Sequence, residues 1–117
     1  AVKVLNDILT ITDAEIVVSS DWKLHCTLEQ LQDMFIKYGV LKAPIGSTPN
    51  HVLKSMDELE STRVAEISEW LSSHPDVEKW VAIDDLDLSA LECFVHTKRM
   101  KEGIKQSGIK EQILKFL

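Results

Sequence analysis

Trp80-Val81-Ala82-Ile83-Asp84-Asp85-Leu86-Asp87-Leu88 is the stretch on which the reading of the chain turns. Val81, Ala82 and Ile83 form a short apolar run without helical spacing, the pattern of a strand buried on both faces. Asp84 and Asp85 follow at once, and Asp87 comes two residues later. In an open parallel sheet, ligands bind just beyond the carboxyl ends of the strands. Acids crowded there repel one another unless a cation sits between them. An all-oxygen aspartate site suits Mg2+, which takes one or two carboxylates and keeps several waters. The same residues also suit a polar loop or a helix cap, and the stretch alone leaves both readings open.

Upstream of it, Val64, Ile67, Trp70 and Leu71 make one stripe of a helix over Arg63 to Ser72, with Glu66 and Glu69 on the other side. His74-Pro75-Asp76 stops that helix. Downstream, Cys93-Phe94-Val95 is another apolar run, ending in His96-Thr97. Lys98 to Lys105 reads as a charged loop. Gly108 then starts a final helix whose greasy face is Ile109, Ile113, Leu114 and Leu117.

Towards the amino end, Ala14 to Val18 is a β-branched run leading into Ser19-Ser20-Asp21, with Trp22 and Lys23 in the exit loop. Val2, Leu5, Ile8 and Leu9 predict an opening helix that ends near Thr12, with Asp13 beginning the turn. Thr27 and Gln30 have the spacing of a capping box ahead of Leu28, Leu31, Met34 and Phe35. Gly39 stands where a left-handed residue would end that helix. Val40 to Ile45 is a short extended piece interrupted by Pro44, and Gly46-Ser47-Thr48-Pro49-Asn50 reads as a loop. His51 to Glu60 gives a mixed signal. Three buried strands alternating with amphipathic helices predict an α/β fold with a mainly parallel sheet. The polar strand ends (Ser19-Ser20-Asp21, Asp84-Asp85 and His96-Thr97) would then share one edge.

The 117 residues suffice for one domain, residues 1–117, with one core. A hydrophobic share of 44% is that of a globular chain. Apolar runs of only a few residues predict no membrane span, and no basic-then-apolar leader is recognisable. A net charge of −6 argues against broad binding to nucleic acid phosphates while leaving room for a local basic groove. Cys26 and Cys93 lie far apart without a CxxC, which predicts reduced thiols and a cytoplasmic location. Neither they nor the dispersed histidines have zinc-ligand spacing.

The segments Ile16 to Lys23, Arg63 to Leu71, Trp80 to Leu88 and Phe94 to Thr97, in that order, resemble motifs two to four of the haloacid dehalogenase-like (HAD) superfamily of phosphohydrolases. They are most similar to the small HAD domains grouped with RNA-repair proteins, over Val4 to about Ile104. The resemblance implies a Rossmann-like three-layer sandwich. It also implies Mg2+-assisted attack of an aspartate on phosphorus, followed by hydrolysis of the aspartyl phosphate. In it Ser19 would hydrogen-bond a transferring phosphoryl oxygen, with Ser20 as the alternative. Arg63 would supply positive charge, with Lys54 as the fallback, and Asp84 and Asp85 would hold Mg2+. Among the tryptophans, Trp22 is placed to touch a substrate. The plainer readings are that Ser19 caps the next turn, that Arg63 pairs with Glu66 along its helix, that Asp87 serves only its loop, and that His96 is a hydrogen-bonded loop residue.

The family's first motif, a central strand ending in Asp-x-Asp with the nucleophile first, precedes everything matched here. Asp85-Leu86-Asp87 has that spacing but occupies the fourth-motif position, so no nucleophile is assigned. A missing central strand would leave unpaired main-chain groups on two neighbours at about 1–3 kcal/mol each. Three explanations follow: an N-terminally incomplete domain with the strand upstream of Ala1, a strand supplied by another chain, or strands that have closed together. The first is favoured; it predicts a strand outside this sequence between the Val18 and Ile83 strands, which then are not paired with each other. The function expected is a HAD-type Mg2+-dependent phosphohydrolase domain without its nucleophile, inactive by itself. Its substrate would be a small phosphorylated molecule or a nucleic acid end. The alternative is a non-catalytic binding or interaction module.

Overall fold

The computed structural model describes residues 2–19, 24–51, 58–97 and 108–117. Four helices and four short strands follow one another as α1 (Val2–Thr12), β1 (Val17–Val18), α2 (Leu28–Lys37), β2 (Gly46–Ser47), α3 (Leu59–Ser72), β3 (Ala82–Asp84), β4 (Phe94–His96) and α4 (Ile109–Phe116). The fold is α/β. Its strands form two parallel two-stranded ladders, β1 with β2 and β3 with β4.

Local chemistry explains where the first helices end. Asp13, after α1, takes φ 54°, a left-handed conformation that an aspartate tolerates, and its N–H still reaches Leu9 O at 2.8 Å. Thr27 caps α2 as its spacing predicts. Gln30 N–H donates to Thr27 Oγ1 at 3.2 Å, and Gln30 Oε1 accepts from Thr27 N–H at 2.9 Å. Gly39 follows at φ 88° and releases the chain. Thr27→Ala removes one half of this box, and thermal or urea unfolding is expected to show a loss of about 1 kcal/mol.

Several expectations are corrected. The strand expected over Ala14 to Val18 ladders only at Val17–Val18. Gly46–Ser47, read as loop, is strand β2: Ile45 N–H donates to Ile16 O at 2.9 Å and Thr48 N–H to Val18 O at 3.0 Å. Glycine and serine have little intrinsic strand preference. Here the neighbouring strand, not the local sequence, holds them extended. α3 begins at Leu59, so Arg63 lies in its second turn and does not open it. Glu66, expected on the outer face, is buried together with Arg63 and Ile67.

The two ladders do not join. Ile16 and Val18 direct their carbonyls at β2, so strand alternation turns the main-chain groups of Val17 away from it. Likewise Ala82 N–H donates to Cys93 O and Asp84 O accepts from Thr97 N–H, both at 2.9 Å, which turns Ile83 away from β4. Val17 and Ile83 both line a cleft of about 590 Å³. Leu5, Ile8 and Leu9 of α1 line it as well, as do Ile67 and Leu71 of α3. Ile83 was expected to be buried on both faces; it is 37% exposed, because no strand among the described residues covers this side.

Side chains on either side of the β3–β4 ladder make the core. Val95 joins Ile8, Ile109 and Ile113. Phe94 and Ala82 pack instead against the cluster of Ile67, Leu88 and Leu91. No helix among the described residues is long and apolar enough to cross a membrane.

Candidate active site

β3 delivers Asp84 to its carboxyl end, and α3 delivers Arg63 to the same point. The apolar stripe of α3 packs Val64, Ile67 and Leu71 against β3 and the turns after it, which brings the preceding helical turn alongside Asp84. Arg63 Nη1 donates to Asp84 Oδ2 at 2.7 Å, with the two side chains only 10% and 8% exposed. Asp84 Oδ1 accepts the Leu86 N–H at 3.0 Å, which bends the chain immediately after the strand. Both carboxylate oxygens are therefore engaged within the protein.

Asp85 is exposed, and among the described residues none bonds its carboxylate. Its carbonyl oxygen lies 2.9 Å from His96 Nε2. A carbonyl only accepts, so Nε2 carries the proton. His96 stands opposite Asp84 in the ladder register. Asp87 Oδ1 accepts the Ser89 N–H at 3.0 Å, a bond that serves the loop. On the other side of Arg63, Glu66 accepts the His51 N–H at 2.8 Å, and the His51 ring contacts Glu69 closely. α3 thereby ties the chain after β2 to the end of β3.

Ser19, half-buried, follows β1 and lines the cleft on the ladder facing Ile83. Ser20, Trp22 and Lys54 lie outside the described residues. The structure therefore gathers Arg63, Asp84, Asp85 and His96 at one strand end and sets Ser19 on the opposite ladder. The Glu66 contact was not legible in the sequence, because helical spacing placed that residue on the solvent side. The Arg63–Asp84 pair was legible only as two separate candidates.

Among the described residues, no group of three or more His, Cys, Asp or Glu could hold a metal ion. That excludes an all-protein cage there but not Mg2+, which needs only one or two carboxylates. Asp85 offers a whole carboxylate. A carboxylate has about four acceptor positions, so Asp84 keeps acceptor capacity beyond its two bonds. Both residues thus offer oxygen acceptors of the type that Mg2+ takes. Elsewhere, burial and then the charge of Glu92 push the Cys93 thiol above its ordinary range. The hydrogen bond from Lys42, and then its charge, hold the exposed Asp13 carboxyl below its own.

A family profile described as "HAD domain in Swiss Army Knife RNA repair proteins" matches residues 1–108. No curated protein and no solved structure matches the chain.

Proposed function

The chain belongs to the HAD domains of Swiss Army Knife RNA repair proteins, and from that membership we propose that it forms most of a Mg2+-dependent phosphohydrolase site in a three-layer HAD sandwich. The observation that carries the reading is the Arg63–Asp84 pair with the open Asp85 carboxylate beside it, at the carboxyl end of β3. Asp85 and Asp84 hold the ion, which neutralises charge on the phosphoryl oxygens when bound. Arg63 orients Asp84 and adds positive charge, and Ser19 hydrogen-bonds a phosphoryl oxygen. Ser20 and Trp22 extend the substrate side.

The attacking carboxylate comes from a strand that fills the cleft, where the main-chain groups of Val17 and Ile83 face inward. A strand there would pair with Val17 on one side and with Ile83 on the other. The family description favours a phosphate on a nucleic acid end over a free metabolite. The net charge of −6 fits contact with an end better than with a long backbone. The free cysteines suit a reducing, cytoplasmic compartment.

The test uses the 117-residue chain with inorganic phosphate and p-nitrophenyl phosphate. Phosphate is expected to bind in a Mg2+-dependent way, more weakly in Ser19→Ala, and no nitrophenol is expected to be released. A chain extended upstream through a strand ending in Asp-x-Asp is expected to release it. Turnover by the 117 residues alone would overturn these roles.

A second reading, a non-catalytic binding module on the same scaffold, is favoured by one observation: both Asp84 oxygens are already bonded inside the protein. It predicts that Ser19→Ala and Asp84→Asn alter binding or stability while the extended chain stays inactive.

A further inference from the structure

Asp85 has an exposed side chain on a turn, and what directs it is the peptide that follows. Two neighbouring bonds fix the Asp84 side of that turn: Leu86 N–H to Asp84 Oδ1 at 3.0 Å, and Thr97 N–H to Asp84 O at 2.9 Å. The Asp85–Leu86 peptide has its own carbonyl to satisfy. His96 satisfies it, reaching across from β4 with Nε2 at 2.9 Å.

The ring that does so is itself well held. Phe94 and His96 project on one face of β4, with ring centroids 5.6 Å apart at 32°. Phe94 packs against the Ile67, Leu88 and Leu91 cluster. Between them Val95 is 1% exposed and anchors the strand from the other side. Register, core and ring contact thus converge on one N–H, aimed at one carbonyl, next to the one carboxylate of the turn that is left open.

We propose that His96 is a positioning residue for Asp85: its Nε2–H pins the Asp85 carbonyl, fixes the plane of the peptide, and so holds the adjacent carboxylate where Mg2+ is taken up. The inference rests on the metal-binding part of the reading above. A ligand whose supporting hydrogen bond is removed loses metal affinity by about 10–100-fold in comparable sites.

The test compares the protein with His96→Ala and His96→Gln, since the glutamine amide can still donate from a similar distance. Mg2+ is titrated while the Asp85 amide resonance is followed, and amide exchange of Leu86 is measured without metal. Expected are Mg2+ binding weakened about tenfold or more in His96→Ala, recovered in large part in His96→Gln, and Leu86 exchange that is slow in the wild type, faster in His96→Ala and slow again in His96→Gln. Unchanged binding and exchange in His96→Ala, or a His96→Gln protein as impaired as His96→Ala, would overturn the role. If the wild type takes up no Mg2+ at all, the phosphohydrolase reading fails, and the Leu86 exchange rates alone decide whether His96 sets the turn.

Discussion

Arg63→Ala is expected to cost about 3–5 kcal/mol of folding stability, the range for breaking a buried ion pair from one side. The size follows from what is left behind. Asp84 is 8% exposed at its side chain, so without the guanidinium its charge stays in a poorly hydrated place with only the Leu86 N–H for company. Asp84→Asn in the same background removes the orphaned charge, and the double variant is expected to recover a good part of the loss. Arg63→Lys keeps the charge but brings a compact ammonium in place of a planar fork, so it should fall between wild type and alanine. Urea unfolding of the four proteins gives the answer. A loss below about 1 kcal/mol in Arg63→Ala would mean the pair behaves as a solvated surface bridge and is not the buried anchor described.

The second large effect is expected at the carboxyl end of the chain. Ile113 is 0% exposed and packs with Ile8, Val95 and Ile109. Ile113→Ala should cost about 2–5 kcal/mol, through lost transfer energy and the cavity left behind, and Ile113→Val only about 0.5–1.5 kcal/mol. α4 has eight residues, too few to hold a helix in water without tertiary packing. The alanine variant should therefore also lose helical circular dichroism before the rest of the protein unfolds. Coincident loss of helix and core fluorescence at an unchanged midpoint would place the stabilising contacts elsewhere.

Which features could be read from the sequence follows a physical pattern. Features set within a few residues were legible: the Thr27 box, the end of α1 at Asp13, the glycines at 39 and 108, and the helical stripes. Strand β2 was not, because two residues carry no period and Gly46–Ser47 owes its shape to β1. Glu66 was misplaced because helical spacing cannot show that a second wall, here the chain at His51, closes over an outer position. At the site, Asp84, Asp85 and Arg63 stood out by type and place. Their joining is a contact between α3 and β3, 21 residues apart. Ile83 was read as doubly buried because its neighbours are apolar. Its exposure comes from the separation of the two ladders, which agrees with the expectation that the Val18 and Ile83 strands do not pair directly.

The proposed Mg2+ site depends most on Asp85, the open carboxylate beside the anchored Asp84. The direct measurement is a Mg2+ titration of the isotope-labelled protein, with Ca2+ as the competing ion and Asp85→Asn as the control. Saturable shifts are expected at millimolar Mg2+, confined to Asp84, Asp85, Leu86 and their neighbours on β4, and absent in Asp85→Asn. Shifts that persist in Asp85→Asn, or that centre on another part of the surface, would contradict the proposed site.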